Sequence, residues 1–374
     1  MSAPALLGRD GRRYPLAEDA PRWRGEDGSP LMMSELPGIG PADIDPSLPG
    51  QWRYAATLPV PLAPLALGEG RTPLLPGQLG GAELLIKPEY QNPTGSFKDR
   101  GAAVMVAWLA ARGVPALLED SSGNGGAAIA AYAAAAGMEA TILAPEATSP
   151  AKTVQARVHG ARVELVPGDR QATADEAVRR SAGICYASHN WQPFFLQGTK
   201  LLAYEIWEDL GFRAPDAVLV PLGAGSLVLG CAIGFGELVR AGAIDRLPRI
   251  LASQPANCSP LARAFAAGAD EAGPGEWAQT IAEGTAIAHP VRDREVLAAV
   301  RESGGRIVAV AEEEIVAGVR ELSARGWYVE PTSASVAAAV PQYLAAGDLR
   351  AGDEAVAVLS GSGLKAAPVL ERLL

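Results

Sequence analysis

A lysine at the start of a predicted helix is the residue of this 374-residue chain that most clearly suggests chemistry. Lys98 follows an Asn-Pro-Thr-Gly turn at residues 92–95 and precedes an apolar stretch. The positive end of a helix dipole disfavours a cation there, and the same field favours the neutral amine. A neutral amine can attack a carbonyl group and form a Schiff base. A solvated cluster of Lys98, Asp99 and Arg100 is the structural alternative.

A second turn combines polar side chains with two adjacent glycines. Ser121, Ser122 and Asn124 precede an Ala-rich stretch that begins with Gly125 and Gly126. Hydroxyl groups and N–H groups at a helix N-terminus form a site suited to a carboxylate or a phosphate. A single polar residue is enough for an ordinary N-cap, which is the alternative interpretation. Three such residues favour a ligand site.

Two later turns follow predicted strands, and ligands collect at the carboxyl ends of strands in open α/β sheets. In the first, Gly223, Ala224, Gly225 and Ser226 join a buried strand to a helix. Glycines there let the backbone approach an anion closely, although many α/β turns contain two glycines. In the second, Ser360 follows the last apolar strand, where a plain strand-end turn is the alternative.

Short apolar runs alternate with helical stretches after about residue 75, which indicates β-α-β units and a parallel sheet. The preceding segment is irregular, with a short extended piece predicted at residues 52–58. The predicted strands are 84–87, 116–118, 140–143, 162–166, 217–221, 250–253, 307–310, 327–329 and 355–359. The predicted helices are 101–112, 125–136, 152–159, 170–181, 197–210, 226–240, 259–266, 293–303, 312–324 and 332–346, with a loop at 188–195.

Composition excludes several classes of function. Lys and Arg number 32 against 42 Asp and Glu, a net charge of −10, so nucleic acid and anionic membranes are unsuitable partners. The 3 cysteines lie far apart without a CxxC pair, which favours a reducing compartment, and we expect a cytoplasmic protein without a signal peptide. The histidines are scattered, so no metal site is expected. They are His159, His189 and His289.

The segment Asn92-Pro93-Thr94-Gly95-Ser96-Phe97-Lys98-Asp99-Arg100-Gly101 resembles the lysine motif of threonine synthases. These are fold type II enzymes, which use pyridoxal 5′-phosphate (PLP). Residues 121–124 resemble the asparagine loop of that family, and residues 221–226 resemble its cofactor-phosphate loop. Residues 330–334 and 360–365 resemble motifs found later in the family's sequences. The resemblance therefore spans roughly residues 70–365.

The resemblance implies an α/β fold of two interleaved domains, each with a mostly parallel twisted sheet flanked by helices. Residues 71–100 and 196–374 would form the larger PLP-binding domain. Residues 101–195 would form a smaller, mobile domain on the substrate side, and residues 1–70 an irregular segment packed on the body. A homodimer that acts on a small amino acid is expected.

The same resemblance implies roles around the cofactor. Lys98 would carry PLP covalently and later move protons as acid and base. Asn124 would bind the 3′-oxygen of the pyridine ring, and Ser360 would face the ring nitrogen. A hydroxyl there makes the ring a weaker electron sink than a carboxylate would, which suits elimination and replacement. Backbone N–H groups would hold the phosphate at Gly223, Ala224, Gly225 and Ser226.

On the substrate side, Ser121 and Ser122 would bind the substrate carboxylate, and Lys200 is a further candidate contact. Two positions depart from the family pattern. Gly125 stands where threonine synthases usually carry Thr, and Phe195 stands where they carry the arginine that grips the substrate phosphate. A phenyl ring cannot replace that bidentate clamp. The phosphate loop also lacks the asparagines that are usual in relatives.

Three functional hypotheses follow. The first is a PLP-dependent carbon–oxygen lyase resembling threonine synthase, which converts O-phospho-L-homoserine and water to L-threonine and phosphate. The second is β- or γ-elimination or replacement on an unphosphorylated amino acid, as in a dehydratase. The third is a catalytically silent paralogue that binds an amino acid or PLP. The intact Lys98 argues against the third.

Overall fold

The computed structural model describes residues 3–17 and 21–373. The chain forms two compact units, and it passes between them several times. Unit 1 holds the described residues of Met1–Pro37, Asp43–Glu69 and Lys98–Leu201. Unit 2 holds Gly38–Ala42, Gly70–Phe97 and the described part of Leu202–Leu374.

The strands, in chain order, are β1 Ala5–Leu7, β2 Arg13–Pro15, β3 Met32–Met33, β4 Leu75–Leu79, β5 Ala82–Lys87, β6 Ala116–Glu119, β7 Glu139–Pro145, β8 Arg162–Val166, β9 Cys185–Tyr186, β10 Ala217–Pro221, β11 Arg249–Pro255, β12 Arg306–Val310 and β13 Ala355–Val358. The α-helices are α1 Lys98–Ala110, α2 Asn124–Ala135, α3 Pro150–Val158, α4 Arg170–Arg180, α5 Pro193–Thr199, α6 Leu201–Asp209, α7 Ser226–Arg240, α8 Pro260–Ala266, α9 Asp293–Glu302, α10 Glu312–Ala324, α11 Pro331–Ala346 and α12 Ala367–Glu371.

Unit 1 contains a parallel sheet of order β8-β7-β6-β9 and a small antiparallel sheet of order β2-β1-β3. Its core is built largely from small and aliphatic side chains. Helices α1 and α2 are rich in alanine, and almost all of their residues are buried. β6 and β9 are neighbours in the parallel sheet, so their carboxyl ends lie at the same edge.

Unit 2 contains a six-stranded sheet of order β12-β11-β10-β13-β5-β4. All pairs are parallel except that of β4 with β5 at one edge. Every residue of β10 is buried, as expected of a central strand covered on both faces. Each unit thus has a mostly parallel sheet flanked by helices, and the predicted fold class is confirmed.

Three sequence predictions were wrong. Residues 52–58 are not extended, because Gly50–Thr57 forms a 3₁₀ helix around the buried Trp52. Residues 327–329 form no strand; Val329 makes only an isolated bridge to Ser362. The loop expected to reach residue 195 ends earlier, since α5 begins at Pro193, a residue suited to the first helical turn.

In the part of the chain that the structure describes, no helix is both long and apolar enough to cross a membrane.

Candidate active site

Lys98 is the first residue of α1 in unit 1 and is half-buried. The eleven residues that follow it in the helix, from Asp99 to Leu109, are buried. The Nζ atom of Lys98 lies 5.6 Å from the centroid of the Phe195 ring. The helix is therefore fixed by its packing, while its first side chain remains partly accessible.

The turn between β6 and α2 positions the predicted substrate-binding serines. Ser121, Ser122 and Asn124 are all half-buried, and Asn124 opens α2. Tight backbone packing shapes this turn, since a Cβ atom on Gly126 would collide with the carbonyl oxygen of Ser121. The first turn of α2 thus lies directly against the end of β6, at the edge of the sheet where ligands collect.

The turn from β10 to α7 in unit 2 has the backbone form of an anion site. Gly225 precedes the helix with φ 99° and, as a glycine, supplies no capping side chain to the first N–H groups of the 15-residue helix. A Cβ atom on Gly225 would collide with Val296. One on Gly223 would come within 3.1 Å of the carbonyl oxygen of Gly284. A glycine is therefore needed at position 225, and position 223 leaves little room for a side chain.

Ser360 follows β13 in unit 2 and is 1% exposed. Its hydroxyl donates to Oε1 of Glu330 at 3.2 Å and lies 3.1 Å from the hydroxyl of Ser333. Its carbonyl oxygen accepts a hydrogen bond from the N–H of Phe97 at 2.9 Å. Ser96 forms a bridge with Gly361. The two residues that precede Lys98 in the chain are thus paired with the strand end that carries Ser360.

Glu330 lies in the segment 330–334, which resembles the family, but its hydrogen bond with Ser360 was not predicted from the sequence. It is the N-cap residue of α11, and its carboxylate occupies the space beside Gly361, where a Cβ atom would collide with it. A serine hydroxyl has one proton to donate, so Ser360 donates either to this carboxylate, as in the structure, or to an unprotonated pyridine nitrogen once its O–H turns away from Glu330.

Phe195, the residue that stands in place of the expected arginine, lies on α5 and is fully buried. Its ring fills the space next to Gly101 of α1, where an added Cβ atom would lie 2.5 Å from ring carbons. The ring is also in edge contact with the imidazole of His189, with centroids 5.8 Å apart. An apolar ring therefore lies beside the amine of Lys98.

Lys200 is fully buried, and its Nζ atom donates to the carbonyl oxygen of Thr57 at 2.8 Å. This contact gives the ammonium a backbone partner within unit 1. A contact of Lys200 with substrate stays a prediction, and the observed hydrogen bond favours a structural role.

Sequence analysis missed a buried cluster at the carboxyl ends of β6 and β9. The carboxylate of Glu119 accepts the backbone N–H of His189 at 3.0 Å, and its Oε1 lies 3.1 Å from Nδ1 of the same residue. Burial and the charge of Asp120 raise the pKa of Glu119 well above its ordinary value. Burial and the charge of Lys98 hold the pKa of His189 well below its ordinary value. The imidazole is therefore neutral at pH 7.

Asp120, the next residue, is held in a separate set of contacts. It forms an ion pair with Arg170 at 2.6 Å and accepts hydrogen bonds from Tyr186 at 2.9 Å and Ser188 at 3.2 Å. Burial alone would raise the pKa of Asp120, but the Arg170 guanidinium keeps it below its ordinary value. A carboxylate charge therefore persists next to the Ser121 turn.

The fold and these turns define an α/β enzyme with a lysine at a helix start and an anion site at a second helix start. The family of pyridoxal-phosphate dependent enzymes matches residues 65–361, and the chain belongs to this family. The expectation that the protein is a PLP-dependent lyase of fold type II, resembling threonine synthase, is confirmed.

Similar proteins agree with this assignment. Threonine synthase from Methanosarcina acetivorans is 34% identical over 329 residues, which cover 85% of this chain and 80% of the relative. Threonine synthase from Methanocaldococcus jannaschii is 36% identical over 326 residues, covering 84% and 80%. The crystal structure of a threonine deaminase from T.th. aligns with a TM-score of 0.65 at 29% identity, covering 78% of this chain and 92% of that one.

Each unit contains residues that fit PLP. The α7 turn offers backbone N–H groups and a helix dipole to the phosphate, and its packing requires a glycine at position 225. The buried hydroxyl of Ser360 is a suitable neutral partner for a pyridine nitrogen. Lys98 provides the amine for the aldehyde.

Proposed function

We propose that this protein is a PLP-dependent lyase that acts on the carbon–oxygen bond of a small amino acid. One observation supports this most strongly. Ser96 and Phe97 are paired with the strand end that carries Ser360, and Lys98 is the next residue in the chain.

Each predicted site residue then has a distinct task. Lys98 carries the cofactor and afterwards moves protons at the α-carbon of the substrate. Asn124 binds the ring oxygen, and Ser121 and Ser122 bind the substrate carboxylate at the α2 N-terminus. Ser360 orients the ring through its nitrogen. The phosphate is held by backbone N–H groups at Gly223, Ala224, Gly225 and Ser226.

When bound, PLP withdraws electrons from the substrate α-carbon and so permits removal of the proton and of a leaving group. The residues of the protein restrict which reaction the cofactor carries out. A neutral hydroxyl at the ring nitrogen leaves the ring a weaker electron sink than a carboxylate would. The weaker electron sink suits elimination and replacement better than transamination.

Formation of L-threonine from O-phospho-L-homoserine is the first candidate reaction. The support is that relatives matched over most of their length are named threonine synthase. Release of phosphate and addition of water would both occur on the side chain of the substrate.

Elimination from an unphosphorylated amino acid is the second candidate, and Phe195 specifically favours it. This fully buried ring lies beside Lys98 at the position where a phosphate-binding arginine is expected. A dianionic phosphate needs charged hydrogen-bond donors when it leaves water. The side chain of an unphosphorylated amino acid needs no charged hydrogen-bond donors.

A spectral screen tests the proposal. Purified protein reconstituted with PLP would be mixed with L-serine, L-threonine and O-phospho-L-homoserine, and the visible spectrum, ammonia, 2-oxoacids, threonine and phosphate would be measured. We expect a spectral change and a product with at least one of them. A protein that binds PLP but releases no product from any amino acid would support the silent paralogue instead.

We further propose a cytoplasmic homodimer in which residues 101–195 form a mobile substrate-side domain. The three free cysteines suit a reducing compartment. Light scattering after size-exclusion chromatography measures the oligomeric state, and hydrogen exchange with and without substrate measures the mobility. A monomeric holoenzyme at micromolar concentration would contradict the dimer.

A further inference from the structure

Two positions at which the chain departs from threonine synthases contact the same side chain. A Cβ atom on Gly125 would lie 2.7 Å from Nδ1 of His189 and 2.9 Å from its Cε1. The Phe195 ring packs edge-on against the same imidazole. The imidazole therefore occupies space that any larger residue at position 125 would need, and both departures lie against the same residue.

His189 is held rigidly at the ligand-binding edge of the unit 1 sheet. It follows β9, and its partner Glu119 ends the neighbouring strand β6. Its backbone N–H and its Nδ1 both contact the Glu119 carboxylate, which also accepts the N–H of Asp120 at 3.0 Å. Because Nδ1 is engaged by Glu119, Nε2 is the ring atom left to interact with a ligand.

Several groups on this edge define the electrostatics around the imidazole. Glu119 and Asp120 stand on one side, and the Phe195 ring that contacts His189 also contacts Lys98. Arg170 is already paired with Asp120. Asp120 keeps its negative charge here, while a neutral imidazole forms one good hydrogen bond to a neutral oxygen.

Ser121 completes the local arrangement. Its hydroxyl lies 2.9 Å from the same added Cβ position on Gly125, so it borders the space occupied by His189. Ser121 is a proposed contact of the substrate carboxylate. A group bound by His189 would therefore belong to the same amino acid, on its side chain.

We propose that His189, held by Glu119, is a specificity-determining residue whose Nε2 hydrogen-bonds the oxygen on the β-carbon of a β-hydroxy amino acid. This oxygen is the leaving group in an elimination and the added water in threonine formation, so the proposal covers both candidate reactions. It rests on the proposed function, because it assumes that Ser121 binds the carboxylate of the amino acid.

The first test compares two ligands that differ only in this hydroxyl, L-threonine and L-2-aminobutyrate. Rapid-mixing spectral titration of the holoenzyme gives the dissociation constant of each before turnover. We expect wild-type protein to bind L-threonine about tenfold more tightly, the value of one hydrogen bond. His189→Asn and His189→Gln should lose this preference while binding L-2-aminobutyrate as before. His159→Asn, a histidine outside the cluster, should retain it.

The second test needs no substitution at His189. The chain has 3 histidines, so protein labelled with ¹⁵N-histidine gives few imidazole signals, and those of His189 are assigned by the variants His159→Asn and His289→Asn. L-Threonine should shift the Nε2 signal of His189, and L-2-aminobutyrate should not. Equal shifts with both ligands, or none with either, would overturn the proposal.

The outcomes separate this proposal from the proposed function. Holoenzyme that retains PLP on Lys98 and turns over an amino acid, but shows no hydroxyl preference dependent on His189, contradicts only the proposal. Failure to bind PLP contradicts the proposed function first. With O-phospho-L-homoserine, loss of threonine formation but retention of phosphate release in His189→Asn would assign His189 to the added water. Loss of 2-oxoacid release from L-threonine would assign it to the leaving hydroxyl.

Discussion

The turns of unit 2 that we propose to bind the cofactor present different groups from the edge of unit 1 that we propose to face the substrate. In unit 2, the α7 turn offers backbone N–H groups, and Val296 and the positive φ require a glycine at position 225. In unit 1, the edge is formed by side chains: Phe195 lies beside Lys98, His189 contacts Phe195, and Glu119 contacts His189.

This difference predicts which substitutions can occur without loss of the ligand. A backbone cradle binds phosphate whatever side chains surround it, provided that the glycines remain. A side-chain pocket changes its ligand when one residue changes, and both Phe195 and Gly125 depart from the family pattern beside His189. The cofactor therefore follows from the family, whereas the substrate follows from residues particular to this chain.

The largest effect should come from Lys98. Lys98→Ala removes the group that carries PLP and moves the α-proton, and we expect turnover to fall about 10³-fold or more. PLP should still bind, weakly and non-covalently, through the α7 turn. Steady-state kinetics and equilibrium dialysis measure the two effects. Lys152→Ala, on α3, serves as the control, and a comparable loss there would show a general effect of lysine removal.

Gly225→Ala tests the backbone cradle. At φ 99° an alanine costs about 1–3 kcal/mol of strain, and its Cβ would collide with Val296. We expect a lower melting temperature and a marked loss of PLP affinity. Gly242→Ala is the matched control, since Gly242 also has positive φ but open space around it. If both variants lose stability equally and both keep PLP affinity, the α7 turn does not hold the phosphate.

Phe195→Arg tests the substrate-side edge. One charge-assisted hydrogen bond contributes about 1.5–3 kcal/mol, and burial of the guanidinium offsets part of it. We expect kcat/KM for O-phospho-L-homoserine to rise about tenfold, with little change for unphosphorylated amino acids. Phe195→Leu removes the ring without adding charge and should not improve the phosphate ester. Efficient use of the ester by wild-type protein, unchanged by Phe195→Arg, would show that another residue binds its phosphate.

Ser360→Ala should have the smallest effect. It removes one neutral hydrogen bond to the ring, about 0.5–1.5 kcal/mol of PLP affinity. Ser360→Asp should protonate the ring nitrogen and increase side reactions such as transamination, seen as pyridoxamine phosphate. If neither variant changes the spectrum or the affinity, Ser360 does not contact the cofactor.

The sequence predicts helices and strands that have a clear hydrophobic period. It does not predict contacts between residues that are distant in the chain. The strand Ala217–Pro221 and the helices Ser226–Arg240 and Glu312–Ala324 agree with prediction at both ends. His189 and Glu119 were missed because 70 residues separate them in the chain. Glu119 directly follows the predicted strand 116–118, but no strand was predicted before His189, because β9 is only 2 residues long. Nothing in the sequence therefore indicated that both residues lie at one edge of the sheet.

Borohydride reduction of the holoenzyme tests the central claim most directly. Reduction fixes PLP on the lysine that carries it, and digestion followed by mass spectrometry identifies the labelled peptide. The chain has few lysines outside the motif, at positions 87, 152, 200 and 365, so the assignment is unambiguous. We expect the label on Lys98 and its absence from Lys98→Ala. A label on another lysine, or protein that takes up no PLP, would contradict the assignment of this chain's active site.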